Sequence, residues 1–225
     1  MTSRNEPATI SLKSICFDYS GVQILNNLNL EIEKRDRIGL LGPNGCGKTT
    51  LSHIIMGLLT PVSGTIEIFG KRMESEKDFC SVRGKIGFMF QDSDDQLFCP
   101  TVIEDVAFGP LNLGQSPEQA RQTVKRTLRS LNLEGFEERV TYKLSGGEKR
   151  LVSLATVLAM EPEFLILDEP TTGLDEQTTE RLVEILTQSE LGYMIISHDR
   201  DFVKRTTNKL LQLKDGQIYQ ADNLS

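Results

Sequence analysis

The chain has 225 residues, 38% hydrophobic and 25% charged, with 25 Lys and Arg against 32 Asp and Glu for a formal net charge of −7. That length can bury a core of useful size, as one large domain or two small ones. The acid surplus argues against non-specific adhesion to nucleic acid or anionic lipid. No window supplies the roughly 20 apolar residues of a membrane span, and the polar stretch 1–8 carries no apolar signal segment. Cys16, Cys46, Cys80 and Cys99 are scattered without a C-x-x-C pair, and there are only two histidines. Neither a disulfide framework nor a zinc site is expected, and a reduced, cytosolic protein is the default.

Residues 10–17 alternate in part between apolar and polar, and Leu28-Asn29-Leu30-Glu31-Ile32 alternates strictly, at the period of a half-buried strand. Arg37–Leu41 is a short strand running into a glycine-rich turn. A helix is expected over 48–59, stopped by Thr60-Pro61. Residues 65–69 and 85–90 read as further strands. The segment from about 92 to 160 changes character. Ser116-Pro117-Glu118-Gln119 starts a helix, with Ser at the N-cap, Pro at the first helical position and Gln three residues after the cap. Ala120, Val124, Leu128 and Leu131 mark one face of that helix. A second helix should span 148–160. Strand returns at Phe164–Asp168, helix from Asp175 and strand at 193–197, and Lys214-Asp215-Gly216-Gln217 signals a terminal hairpin. The pattern is an α/β core interrupted by a helical insert.

Gly42-Pro43-Asn44-Gly45-Cys46-Gly47-Lys48-Thr49 fits G-x-x-x-x-G-K-[ST] between an apolar strand and a helix. Glycines let the backbone turn several N–H groups into one concavity, and the helix N-terminus adds positive potential there. Lys48 is suited to neutralise β- and γ-phosphates and the Thr49 hydroxyl to hold Mg²⁺. Cys46 reads as a small residue filling the loop. Farther on, an apolar strand ends in Asp168 and Glu169. Asp168 can reach Mg²⁺, usually through water, and Glu169 can polarise a water that attacks the γ-phosphate. Leu144-Ser145-Gly146-Gly147-Glu148 is a second candidate anion device at a helix N-terminus. A simple capping box, Ser145 with Glu148, is the local alternative.

In this order the motifs resemble an ATP-binding cassette (ABC) ATPase over nearly the whole chain. The resemblance implies a P-loop NTPase cassette of the α/β class, with a RecA-like core, an antiparallel β subdomain and a helical signature subdomain. It implies one ATPase domain over 1–225, with the helical part inserted at about 92–160. Tyr19 is similar to the residue that stacks on adenine, Gly42 through Thr50 to the Walker A loop, and Gln91 to the Q-loop glutamine. Residues 144–148 resemble the signature sequence, 164–169 Walker B, Gly173-Leu174-Asp175 the D-loop, and His198 the switch histidine. Glu169, His198 and Gln91 are the implied catalytic residues, and Thr49, Gln91 and Asp168 the implied metal ligands. In such a mechanism two cassettes pack head to tail. Each ATP lies between the phosphate loop of one and Ser145-Gly146-Gly147 of the other, and hydrolysis opens the dimer.

Residues 92–98 and 100–113 are similar to the ATPases of energy-coupling-factor importers, which take up cobalt, nickel, biotin and other vitamins. In that family the region receives the coupling helices of a membrane subunit. Leu97, Phe98, Val102, Val106 and Phe108 are candidate contacts, with Leu97-Phe98 the favoured pair and Val102 and Val106 equally readable as packing. Glu148-Lys149-Arg150 resembles the same subgroup, while Leu151 stands where a basic residue is often found. Few residues follow Gly216, a short form resembling dedicated cobalt, nickel or biotin systems. The expectation is a peripheral subunit at the cytoplasmic face of the membrane. It would pair with a second cassette, itself or a paralogue, and with integral coupling and cargo-binding subunits, and would bind no nucleic acid. Uptake of biotin or other vitamins, or a soluble non-transport role, are the alternatives.

Overall fold

The computed structural model describes residues 8–221; the polar N-terminal stretch read above therefore lies almost wholly outside the described residues. Strands β1 (Ile10–Tyr19) and β2 (Val22–Ile32) form a hairpin whose turn residues, Ser20 and Gly21, both take positive φ. That backbone matches the twist of the flanking strands. Strand β2 begins well before Leu28. Asn27 at φ 51° and a shift in pairing between Ile15 and Phe17 break the alternation that marks its second half. Next come β3 (Arg37–Leu41), α1 (Lys48–Ile55), β4 (Ser63–Ile68), β5 (Lys71–Arg72) and α2 (Glu76–Arg83). Helix α1 stops short of residue 59 because Gly57 takes φ 67°, the left-handed stop that closes helices.

The chain continues through β6 (Ile86–Met89), α3 (Val102–Asn112), α4 (Pro117–Ser130), α5 (Gly146–Leu158), β7 (Phe164–Asp168) and α6 (Glu176–Gln188). It ends with β8 (Gly192–Ile196), α7 (Arg200–Thr206), β9 (Lys209–Lys214) and β10 (Gln217–Gln220). Two compact units emerge among the described residues: one holds those up to Arg83 together with those from Leu191, the other runs from Gly84 to Glu190.

In the first unit, β2, β1, β4 and β5 lie side by side in an antiparallel sheet. Strand β3 pairs in parallel with β8 and β9, and β10 returns antiparallel to β9 around Asp215 and Gly216. All five residues of β8 are buried, as a parallel strand covered on both faces requires. Helix α2 is polar and buries only Val82. Its terminal Arg83 donates to the carbonyl oxygens of Met56 and Gly57, satisfying groups at the end of α1.

In the second unit, β6 and β7 pair in parallel from Ile86–Phe164 to Met89–Leu167. Helices α3, α4 and α5 pack on one another. Ala120, Val124, Leu128 and Leu131 are all buried, so the apolar face read from the sequence is the packed one. Each fully buried Leu or Val contributes about 1.5–3 kcal/mol of transfer free energy. Helix α5 starts at Gly146, two residues before the expected boundary, because Ser145 is its N-cap.

Candidate functional site

The phosphate loop is built by close approach of backbone. Gly42 and Gly47 have φ of 155° and 104°. A Cβ on Gly42 would lie 2.6 Å from the Leu213 carbonyl oxygen, and one on Gly47 would lie 2.7 Å from Ile24. Neither position has room for a side chain. Lys48 Nζ turns back on the loop and donates to the carbonyl oxygens of Gly42 at 2.8 Å and Pro43 at 3.0 Å. The loop delivers the chain into α1, whose first turn has no acidic residue and no side-chain cap. Every other α-helix of the described residues has an acid in its first turn or at its cap. A helix N-terminus with no acid and no side-chain cap carries positive potential that favours an anion.

Tyr19 ends β1 half-exposed, its ring edge-on to Phe17 with centroids 4.8 Å apart. His198 follows β8 and is exposed, and the next residue, Asp199, caps α7 by accepting from the Phe202 N–H. Thr49 and Cys46 are half-buried, while Pro43, Asn44 and Gly45 are exposed and Thr50 is buried.

The second unit gathers the remaining residues. Strand β7 delivers Asp168 and Glu169 at its C-terminal end, both buried. Glu169 adopts φ 48°, a left-handed conformation unusual for a glutamate. Gln91 follows β6 and is exposed. One buried side chain joins the two strand ends. Arg150 of α5 donates from Nη1 to the carbonyl oxygens of Phe90 and Gln91, from Nη2 to those of Asp168 and Glu169, and from Nε to that of Pro170. Burial lowers its pKa to about 10, and it stays a cation at neutral pH. In the sequence, Arg150 stands out only within the Glu148-Lys149-Arg150 subgroup pattern. The available signal was an arginine set among the apolar positions of α5, where a charge needs buried partners.

Ser145 caps α5 and forms the full capping box with Glu148. The local alternative is therefore real, and it leaves the paired glycines unexplained. Gly147 lies beside Leu174 and Thr178, so the signature and D-loop segments meet. Asp175 caps α6 through the Thr178 N–H at 2.7 Å, and that bond holds its carboxyl below the usual range.

The segment after Gln91 is braced from within. The Gln96 side chain accepts from the Phe90 N–H and donates to Ser153 and Thr156 of α5. Asp105, almost fully buried in α3, accepts from the N–H groups of Phe98 at 3.1 Å and Cys99 at 2.9 Å. Burial raises its carboxyl, and burial together with the Asp105 charge pushes the Cys99 thiol up to about 11. Leu97 is buried at 9% exposure, whereas Phe98 is 64% exposed and stacks edge-on against Phe108. This corrects the Leu97-Phe98 pair: side chains alternate about the loop, and only Phe98 faces out. Val102 and Val106 are completely buried and pack the helices. Phe108 and Leu111 of α3 and Leu113 just beyond it are also exposed.

The Thr49 hydroxyl, the Gln91 amide and the Asp168 carboxylate are hard oxygen donors of the kind Mg²⁺ takes. No group of three or more His, Cys, Asp or Glu among the described residues could hold an ion alone.

A glycine-rich loop feeding an uncapped helix, with two acids at the end of an apolar parallel strand, defines a P-loop nucleotide-binding protein. The chain belongs to the ABC transporter family, whose profile matches residues 25–172. It is 52% identical over 220 residues, 97% of this chain and 81% of the other, to a Nitratidesulfovibrio vulgaris protein whose name goes no further than an assignment to ABC transporter ATP-binding proteins. It is 40% identical to the energy-coupling factor transporter ATP-binding protein EcfA of Methanothermobacter thermautotrophicus, over 93% of this chain and 69% of that one. Among solved structures, cbiO1 of Clostridium perfringens, part of the ABC transporter complex cbiONQ, superposes with a TM-score of 0.84 at 34% identity, covering 95% of this chain and 88% of that one. A dimeric ATP-binding cassette in a post-hydrolysis state bound to ADP and Pi gives 0.87 at 26%, covering 96% and 99%. The fold is that of an ABC cassette, and the chain is a nucleotide-binding ATPase of the ABC type, coupling hydrolysis to transport. No helix of the described residues is long and apolar enough to cross a membrane.

Proposed function

We propose that this chain is the ATPase subunit of an energy-coupling-factor importer for cobalt or nickel ions, driven by ATP-dependent closure of two cassettes head to tail. The likeness to EcfA along 93% of the chain carries the importer reading. The exposed Phe98–Phe108 pair supports it, since it offers apolar surface to a helix of a membrane subunit. Integral coupling and cargo-binding proteins are its partners, and it works at the cytoplasmic face of the membrane.

In this reading Tyr19 stacks on adenine, and the backbone of residues 42–50 with Lys48 holds the phosphates. Thr49, Gln91 and Asp168 would hold Mg²⁺, which supplies charge neutralisation at the β- and γ-phosphates. Glu169 takes the proton of the attacking water, and His198 contacts the γ-phosphate. Ser145, Gly146 and Gly147 engage the nucleotide of the partner cassette, with Asp175 at the same face. The anion-ready α1 and the spare glycines of α5 then serve one phosphate tail from two chains.

Purification of the chain with its co-expressed membrane subunits, followed by ATP-driven uptake into vesicles of Co²⁺, Ni²⁺ and biotin in parallel, tests the proposal. Accumulation of either metal supports it. Accumulation of biotin alone moves the cargo to the vitamin class, and ATP turnover with no membrane partner recovered and no cargo accumulated points to a soluble role.

A further inference from the structure

Arg150 spends all five of its guanidinium N–H groups on main-chain oxygens, and the choice of oxygens is specific. The carbonyls of Asp168 and Glu169 belong to the two peptide planes that flank the Glu169 Cα, and both accept from Nη2. The carbonyls of Phe90 and Gln91 flank the Gln91 Cα in the same way, and both accept from Nη1, at 2.7 and 2.9 Å. Holding both planes about a Cα fixes its φ and ψ. Nε adds the Pro170 oxygen at 3.1 Å, so the chain is held beyond Glu169 as well. Glu169 needs such a restraint. At φ 48° an L-residue sits in a strained left-handed region, and strain of this kind persists only where surroundings over-determine it. Arg150 is 3% exposed, so solvent has little access to these bonds. Arg150 also lies one helical turn from Gly146, on the helix whose N-terminus carries the signature glycines.

We infer that Arg150 is a positioning residue: its guanidinium sets the backbone of Glu169 and Gln91 together, and ties their geometry to the seat of the signature helix. The inference rests on the proposed role of Glu169 as base. A lysine cannot replace the fork, because its three donors radiate from one point while the five oxygens lie on two strand ends.

The test compares Arg150→Lys, Glu169→Gln, the double variant and Val152→Ala in the full chain, reading ATP turnover, affinity for a fluorescent ATP analogue and melting temperature. Arg150→Lys is chosen over alanine because it keeps a cation among the same carbonyl oxygens. Val152 is wholly buried on the same helix and is a partner in none of the five hydrogen bonds. The expected result for Arg150→Lys is a kcat lower by 10- to 100-fold, with KM and analogue affinity within threefold of the parent. Added to Glu169→Gln, it should lower the residual rate by no more than about threefold, since the base it positions is already disabled and only its hold on Gln91 is left to lose. Four results overturn the inference: parent-like kcat, an equal loss in the Glu169→Gln background, an equal loss in Val152→Ala, or failure of Arg150→Lys to fold, which assigns the guanidinium to stability alone. A Glu169→Gln variant that turns over at the parent rate instead removes the base assignment, and is read independently of Arg150.

Discussion

Gly146, the first residue of α5, faces the carbonyl oxygen of Gly173: a Cβ placed on Gly146 would lie 4.0 Å from it, with nothing closer outside its own helix and chain neighbours. The fold therefore tolerates alanine there. Gly146→Ala should leave the melting temperature unchanged or raise stability by up to about 1 kcal/mol, since alanine is the better helix former. ATP turnover should still fall at least tenfold, because the added methyl obstructs the partner's nucleotide. Parent-like turnover at an unchanged melting point would show that this face meets no second cassette.

Glu169→Gln should remove the proton acceptor while keeping size and shape. Loss of a general base typically costs about 10²- to 10⁴-fold in rate. Gel filtration with MgATP should then show a stable dimer, because closure proceeds and hydrolysis does not. A monomer under those conditions, at ATP concentrations that saturate the site, would contradict closure by ATP.

Lys48→Ala should weaken nucleotide binding by roughly 10- to 150-fold, the equivalent of about 1.5–3 kcal/mol for hydrogen bonds to a charged group. The Gly42 and Pro43 oxygens also lose their shared donor, so the loop itself loosens. Titration with a fluorescent nucleotide measures the change, and affinity within twofold of the parent would take Lys48 out of the binding site.

Asp105 gives a pH signature. Its folded-state pKa is raised above the ordinary 3.8, chiefly by burial. A raised carboxyl contributes stability that is fully present below the unfolded value and is lost as pH climbs through the folded one. Asp105→Asn keeps an oxygen for the Phe98 and Cys99 N–H groups and cannot ionise. Its melting temperature relative to the parent should therefore rise from pH 4 to pH 7. Asp105→Ala strands both N–H groups and should cost about 1–3 kcal/mol across the range. A pH-independent difference for Asp105→Asn would refute the burial effect.

Charge placed at positions 97 and 98 should give opposite phenotypes. Phe98→Asp should leave melting and nucleotide affinity alone and reduce co-purification with the membrane subunits. Leu97→Asp puts a charge into the packed interior and should lower the melting temperature steeply. Equal co-purification of parent and Phe98→Asp would release this surface from docking.

The loop at 42–49, the capping boxes at Ser116 and Ser145, and the apolar face of α4 could all be read from the chain alone. Each depends on residues within a few positions of one another, where backbone freedom, cap donors and periodicity are local properties. The short polar helices α2 and α7, the two-residue strand β5 and the first half of β2 could not. These have little apolar periodicity, and packing by distant segments stabilises them. Leu97 shows the same boundary at a single residue: hydrophobicity marked it, but only the loop's path turned it inward and Phe98 outward.

The sequence by itself determined the chemistry available to this protein: a phosphate-ready loop, a pair of carboxylates and a second glycine-bearing helix start, in the order of an ABC cassette. The tertiary structure alone decided what holds them in place. Arg150 lies 59 and 60 residues from the Gln91 and Phe90 oxygens and 18 to 20 from those of Asp168, Glu169 and Pro170. No local rule predicts which carbonyls a buried guanidinium will find, because those partners are backbone groups common to every residue, and only the folded chain's path selects among them.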